Sequence, residues 1–292
     1  MIRRGGFFKS NWAYLLWFSV HFSLSVLAVY VLEQNILSSV ILSLVCYAVA
    51  VVLALSPAGE YLVRLIENMK PVKTQKDADY LLPIFEEVYE EVRSVTPKSN
   101  SNIRLYISES MTVNAFAVGR KTIAVTRGAI HTFSSEELKG VLAHEFGHMA
   151  NGDTKALLFS NVGNGFFSLL LFVLRIFMNT LQAVVSLFDD VNLPLMVLSF
   201  FFYVLRLLMD SIVFLFEFLG EVILSLNSRY SEYLADEYAF SLGFGEELKN
   251  ALYVLHQISM PAKATITERL KATHPHLNDR IQKLEQFALQ SA

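Results

Sequence analysis

Hydrophobic positions along the 292-residue chain gather into two pairs of long apolar runs, separated by stretches with helix or strand periodicity. Residues 12–32 and 36–55 contain no Asp, Glu, Lys or Arg, and each is about the 20 residues a helix needs to cross hydrocarbon. Only Glu33, Gln34 and Asn35 separate them, so the pattern predicts a tight transmembrane hairpin. A cleaved signal peptide is the alternative for the first run. Its length, the lack of a small-residue cleavage site and the immediate second run argue against it. His21, inside the first run, reads as a packed or interfacial side chain.

A second apolar pair covers 166–187 and 193–216. The first of these holds 14 Leu, Ile, Phe or Val residues and one charge, Arg175. At helix-centre values those residues contribute at most about −4 to −8 kcal/mol to insertion, against about +2.5 to +3.5 kcal/mol for a central Arg. Its partner carries Arg206 and Asp210, one helical turn apart. A buried soluble hairpin is the competing reading.

The intervening segments predict a small mixed domain. DADYLLPIFEEVYEEVRSV reads as an amphipathic helix interrupted or started near Pro83. NIRLYISES, VNAFAVG and KTIAVTRG read as strands. Ser134 and Glu137 form a capping box ahead of a helix running to about Ala150, with Asn151-Gly152 as its stop. Residues 228–245, 247–258 and a segment after Thr273-His274-Pro275-His276 complete the helices. The fold class is therefore a mainly α integral membrane protein: four transmembrane helices plus a small α+β zincin-like catalytic domain. Its divisions are 1–58 (first hairpin), 59–154 (catalytic part), 155–217 (second hairpin) and 218–292 (helical part).

Composition agrees with this reading. The chain is 53% hydrophobic and 17% charged, with mean hydropathy +0.42 and net charge −3; an ordinary soluble domain is about a quarter charged. No basic run marks a nucleic-acid partner. The single cysteine, Cys46, lies in an apolar run, which excludes an intrachain disulfide and argues against a thiolate metal site. Arg3, Arg4 and Lys9 precede the first hairpin and Arg64, Lys70, Lys73 and Lys76 follow it, whereas its turn has no Lys or Arg. The positive-inside rule places both flanks, and both termini, in the cytoplasm.

The helix after Ser134 contains His144-Glu145-Phe146-Gly147-His148. Two histidines four apart share one face. That is the spacing with which two imidazoles grip one zinc ion, the intervening Glu standing beside the open position as a base. A catalytic zinc needs a third protein ligand. Two spans return the chain to the side it left, so the ligand can follow the second hairpin. Glu232 in SRYSEYLADEYA is the best candidate because Asp236, one turn on, can accept a ring N–H from a ligating histidine. Glu217 and Glu221 lie too near the second hairpin, and Glu237 has no carboxylate one turn further on. Alone, the Glu232–Asp236 pair would read as an exposed helix face.

The chain resembles HtpX-type membrane zinc proteases, gluzincins related to the CAAX prenyl proteases. The resemblance rests on the amino-terminal hairpin, VNAFAVG, HEFGHMANGD, the second hairpin, SRYSEYLAD and THPHLNDRI, in that order. Two features depart from the family pattern: His276 stands where a second proline usually follows the His-Pro pair, and the second hairpin has a very short outer loop. The resemblance implies one zinc per chain on His144, His148 and Glu232, with Glu145 as catalytic base. It implies cleavage of misfolded or damaged membrane proteins at the cytoplasmic face of a prokaryotic cell membrane. It makes His274 a candidate oxyanion donor, with a helix-cap role as the alternative; Tyr230 is a weaker candidate. It also makes Asn114, Ala115, Phe116 and Ala117 a substrate-binding edge, where the alternative is an interior strand. Two other functions compete: a membrane scaffold or sensor with a structural metal, and a CAAX-type processing protease. A structural zinc wants four ligands, usually rich in Cys, which this chain does not offer.

Overall fold

The computed structural model describes residues 11–95, 102–163, 165–187, 193–258 and 276–291. Helices α1 (Trp12–Glu33) and α2 (Ile36–Leu55) form the first hairpin. Gln34 turns the chain in the left-handed region, and Asn35 caps α2 by accepting from the Leu37 and Ser38 amides. A core helix of a soluble protein buries most of its apolar window; these two bury 17% each. Leu37, Val52 and their neighbours face outward, as side chains solvated by lipid do. Both helices are long and apolar enough to cross a membrane. Ser25 and Tyr47 hydrogen-bond across the pair at 3.0 Å.

After α2 the chain turns at Ser56 into a short helix, α3 (Pro57–Ile66), which the sequence pattern had merged into the soluble region. There follow strand β1 (Met69–Pro71), helix α4 (Gln75–Val95), strands β2 (Arg104–Ser108), β3 (Ala115–Val118) and β4 (Thr122–Thr126), and helix α5 (Arg127–Thr132). Helix α4 runs through Pro83 unbroken. Pro83 and Asp79, whose carbonyl it cannot serve, both lie on the exposed face, where a carbonyl without a helix partner is open to solvent. The sheet order is β1-β2-β4-β3; β2 and β4 run parallel and the other pairs antiparallel. Strand β1 is too short to carry a periodicity signal. Strand β3 lies at the edge of the sheet and not in its interior.

Helix α6 (Ser135–Asn151) starts at the Ser134–Glu137 capping box and stops at Gly152, whose φ of 83° requires glycine or asparagine-like freedom. Helices α7 (Asp153–Gly163), α8 (Gly165–Ser186), α9 (Leu193–Ser241), α10 (Gly245–Ile258) and α11 (Leu277–Ser291) follow. The apolar run 193–216 and the helix expected at 228–245 are one 49-residue helix, with no break at the boundary drawn at 217/218. Gly220, the residue that would invite a break, packs instead: a Cβ there would stand 2.3 Å from the Trp17 ring of α1. His21 is buried beside Trp17 and Phe216, with ring centroids at 5.0 and 5.3 Å. Arg175 of α8 pairs with Asp210 of α9 at 3.1 Å, and Arg206 donates to Gln182 at 2.9 Å.

Residues on both sides of the second apolar pair build one core. Phe85 and Val88 of α4, Ile123 and Val125 of β4, Leu142 and Phe146 of α6, Leu248 of α10 and Leu284 of α11 belong to a single buried cluster. The segments 59–154 and 218–292 thus fold together, and this closure brings α9 against α6.

Candidate metal and catalytic site

Helix α6 presents His144 and His148 from one face, and α9 crosses that face closely. Gly147 permits the approach: a Cβ there would stand 2.8 Å from Ala235 Cα. Glu232 and Asp236, on the same side of α9, consequently point at the two imidazoles. His144 Nε2 and His148 Nε2 lie 3.1 Å apart; Glu232 oxygens lie 3.4 Å from the first and 3.6 Å from the second.

Each imidazole is fixed by its other nitrogen. His144 Nδ1–H donates to Asp236 Oδ1 at 2.9 Å, and His148 Nδ1–H donates to Asp153 Oδ2 at 2.9 Å. Both Nε2 atoms then present lone pairs to the same small volume. Ser231 also donates to Asp153. A tetrahedral ion with bonds of about 2.0–2.2 Å needs donors roughly 3.3–3.6 Å apart; the Glu232 separations, 3.4 Å through Oε2 and 3.6 Å through Oε1, lie in that range, and the two histidine nitrogens at 3.1 Å sit slightly closer. The residues present therefore fit a divalent metal: three donors atop one cleft, with two oriented histidines.

Sequence reasoning missed two members of this arrangement. Arg280 of α11 is buried and donates to Asp236 through Nε (2.8 Å) and Nη2 (2.6 Å), and Nη1 reaches Glu232 at 2.8 Å. It lies inside the quoted THPHLNDRI, but a lone arginine 44 residues beyond Asp236 carries no spacing signal. Asp153 was equally visible in HEFGHMANGD. The left-handed Gly152 turns α7 back so that Asp153 faces His148, whereas in the sequence that glycine signals only a helix stop.

Glu145 is buried beside the histidines, with the Ala117 backbone of β3 favouring its ionised form. Burial pushes its carboxyl above the ordinary value, against the pull of His148 and His144. Burial and Arg280 lower the His144 imidazole, but Asp236 and Glu232 outweigh them and leave it raised. Burial likewise opposes His148, yet Asp153 and Glu232 hold it well above its usual value. Asp236 is held below the usual carboxylate range: burial raises it, and Arg280 and His144 more than reverse that.

The donors open onto a cleft of about 480 Å³. Asn114, Ala115, Phe116 and Ala117 of the edge strand line one side, and Leu248, Leu252 and Leu255 of α10 with Phe133 and Val141 form an apolar wall. Tyr14 of α1 and Leu157 of α7 also line it, so the amino-terminal apolar hairpin borders the site. Tyr230 is exposed and does not line the cleft. His274 lies outside the described residues.

Comparison with known proteins agrees with this geometry. A family model described as peptidase family M48 matches residues 76–288. The chain is 34% identical to the protease HtpX of Shewanella oneidensis over 197 residues, covering 61% of this chain and 66% of that protein. It is 33% identical to the protease HtpX of Chromohalobacter salexigens over 196 residues, 60% and 62% of the two chains. It thus spans just under two thirds of the length of these curated relatives. The crystal structure of S. mikatae Ste24p superposes with a TM-score of 0.53 at 20% identity, over 90% of this chain and 61% of that one, a likeness of fold. The family model covers the capped helix with both histidines, the edge strand, Glu232, Asp236 and Arg280, and the chain belongs to peptidase family M48.

Proposed function

We propose that this chain is a membrane-bound zinc endopeptidase that cleaves misfolded or damaged membrane proteins at the cytoplasmic face of a prokaryotic cell membrane. The observation that carries this reading is the set of three donor separations, 3.1, 3.4 and 3.6 Å, beside a buried glutamate. His144, His148 and Glu232 hold the zinc. When bound, it supplies a Lewis acid for the scissile carbonyl and a water acidified to near neutrality. Glu145 takes the proton of the attacking water and passes it to the leaving amine; its raised pKa suits it to hold that proton between the two transfers. Asp236 and Asp153 keep the two imidazoles in the tautomer that offers Nε2. The open side of β3 receives an extended polypeptide by strand addition, and the apolar wall takes a large apolar side chain next to the cut bond. His274, three residues before α11, is assigned the oxyanion donor on the family resemblance alone.

In this reading α8 and the first half of α9 form a second transmembrane hairpin. Its charges are partnered within it, Arg175 with Asp210 and Arg206 with Gln182, as intramembrane charges usually are. Four spans leave both termini and the cleft on one side, and the basic residues flanking α1 and α2 put that side in the cytoplasm. The test is casein cleavage by the purified full chain in detergent, with metal content measured before and after a chelator. Zinc near one per chain, and cleavage lost with it and restored by it, is the expected result. Cleavage that survives complete metal removal overturns the proposal.

A further inference from the structure

Helix α3 begins two residues after α2 ends and carries an apolar face that none of the described residues covers. Tyr61, Leu62, Leu65 and Ile66 are 54% to 79% exposed. The helix is nevertheless held firmly. Val63, on its inner side, packs against a small core of Met69, Val118 and Ala124. Glu60 is buried and accepts from the Arg120 amide at 2.6 Å and from the Thr122 hydroxyl at 3.2 Å. Arg64 donates to Thr122 at 2.8 Å. An exposed apolar face on a rigidly anchored helix is a surface built to meet something.

Beside that face lies a cavity of about 410 Å³, separate from the catalytic cleft. It is lined by Glu60, Arg64, Arg104, Arg120 and Lys121, with Tyr106 and the last residue of α2, Leu55. Four cations against one carboxylate leave a net +3 at one corner of a chain whose formal charge is −3. Both Glu60 oxygens are already engaged, and among the described residues no carboxylate pairs with Arg104, Arg120 or Lys121. The Arg64 guanidinium stands 5.2 Å from the Tyr106 ring centroid, so an aromatic ring and a cation share the level at which α2 ends.

We propose that α3 lies in the membrane interface and that the basic cavity beside it holds the phosphate of an anionic phospholipid headgroup. The inference rests on the reading that α1 and α2 cross the bilayer. Three features select this occupant. Leu55 belongs both to the end of the span and to the cavity, which fixes the cavity at headgroup depth. Amphipathic helices with Tyr and Leu on one side and Arg on the other settle at that depth. Tyrosines and basic side chains collect there too. Arg120 sits in the turn between β3 and β4, so a lipid bound here ties the substrate-binding edge of the sheet to the bilayer surface. Anionic lipid then fixes the height of the cleft above the membrane.

Three exposed cations, Arg104, Arg120 and Lys121, can be removed without touching the catalytic cleft. Their loss lowers affinity for an anionic headgroup on the order of 100-fold, since each cation near such a surface contributes roughly fivefold. The test uses the full chain. Native mass spectrometry of detergent-purified protein titrated with phosphatidylglycerol or phosphatidylcholine compares the wild type with the Arg104→Gln/Arg120→Gln/Lys121→Gln variant. Preferential retention of phosphatidylglycerol by the wild type, lost in the variant, is expected. Equal retention by both proteins, or no preference between the two lipids, overturns the headgroup site. In a Cys46→Ser background, spin labels at Val45→Cys and Ile66→Cys report depth in vesicles containing phosphatidylglycerol. Residue 45 should lie in the hydrocarbon and residue 66 at the acyl–headgroup boundary. Residue 45 immersed with 66 in water overturns the interfacial helix and leaves the span standing. Residue 66 shielded only as protein concentration rises assigns that face to a second copy and overturns the proposal. Neither residue immersed overturns both readings.

Discussion

Asp236→Asn exchanges one oxygen for an NH2 group at a fully buried point where three donors converge. In the wild type, Asp236 accepts from His144 Nδ1 at 2.9 Å and from Arg280 at 2.6 and 2.8 Å. Asparagine keeps one acceptor oxygen, so a donor is left facing another donor, and Arg280 loses its bidentate counter-ion. Removing one partner of a buried ion pair costs about 3–5 kcal/mol; Glu232, 2.8 Å from Arg280 Nη1, remains as a second partner and places the expected loss at the lower end. Metal affinity should fall by roughly 10–100-fold, the range for loss of a carboxylate that orients a ligating imidazole. The pH dependence has a definite sign. Asp236 is held below its unfolded-state value, chiefly by Arg280 working against burial. Its contribution is therefore complete above about pH 4, the ordinary carboxylate range, and disappears as pH falls through the folded pKa. Urea unfolding of the metal-free protein in detergent, compared at pH 7 and pH 3, reads the stability term, and chelator competition reads the affinity. Wild-type stability and wild-type metal affinity in the variant at pH 7 would refute the assignment of Asp236 as the shared anchor of His144 and Arg280.

Other perturbations probe other parts of the arrangement. Glu232→Gln should weaken metal binding severely while Glu237→Gln leaves it near normal; the reverse order in a metal titration would move the third ligand. Gly147→Ala should lower thermal stability by about 1–3 kcal/mol through overpacking, because its methyl would meet Ala235 at 2.8 Å; an unchanged melting temperature would show that α6 and α9 approach less closely. Metal loading should weaken as pH falls through neutrality, because carboxylate neighbours hold both imidazoles above their ordinary values and protons then compete from a higher pH. Full occupancy at pH 5 in limiting metal would contradict this.

The elements that were legible in the sequence are those with strong local signals. Charge-free runs marked α1 and α2, and the Ser134–Glu137 box and Asn151-Gly152 marked both ends of the histidine helix. The Glu232–Asp236 spacing pointed to the partner helix because four residues make one turn. What was not legible depends on tertiary closure. The apolar pattern stops at 216 and the next helix reads as 228–245, yet Gly220 between them packs against Trp17 and the two are one helix. Pro83 reads as an interruption, yet an exposed position leaves the freed carbonyl open to solvent. Arg280 and Asp153 reach the site from a distant helix and across a left-handed glycine, and neither placement leaves a periodic trace. Helix α3, ten residues long, is too short to stand out from the soluble stretch into which its residues merge.

The central claim is that the two histidines and Glu232 build a hydrolytic centre in which Glu145 moves the proton. Glu145→Gln tests it most directly, because the substitution removes the base and no proposed ligand. With metal content measured on the same preparations, the account predicts wild-type metal stoichiometry and loss of casein cleavage. Appreciable cleavage by the variant with stoichiometric metal would contradict it.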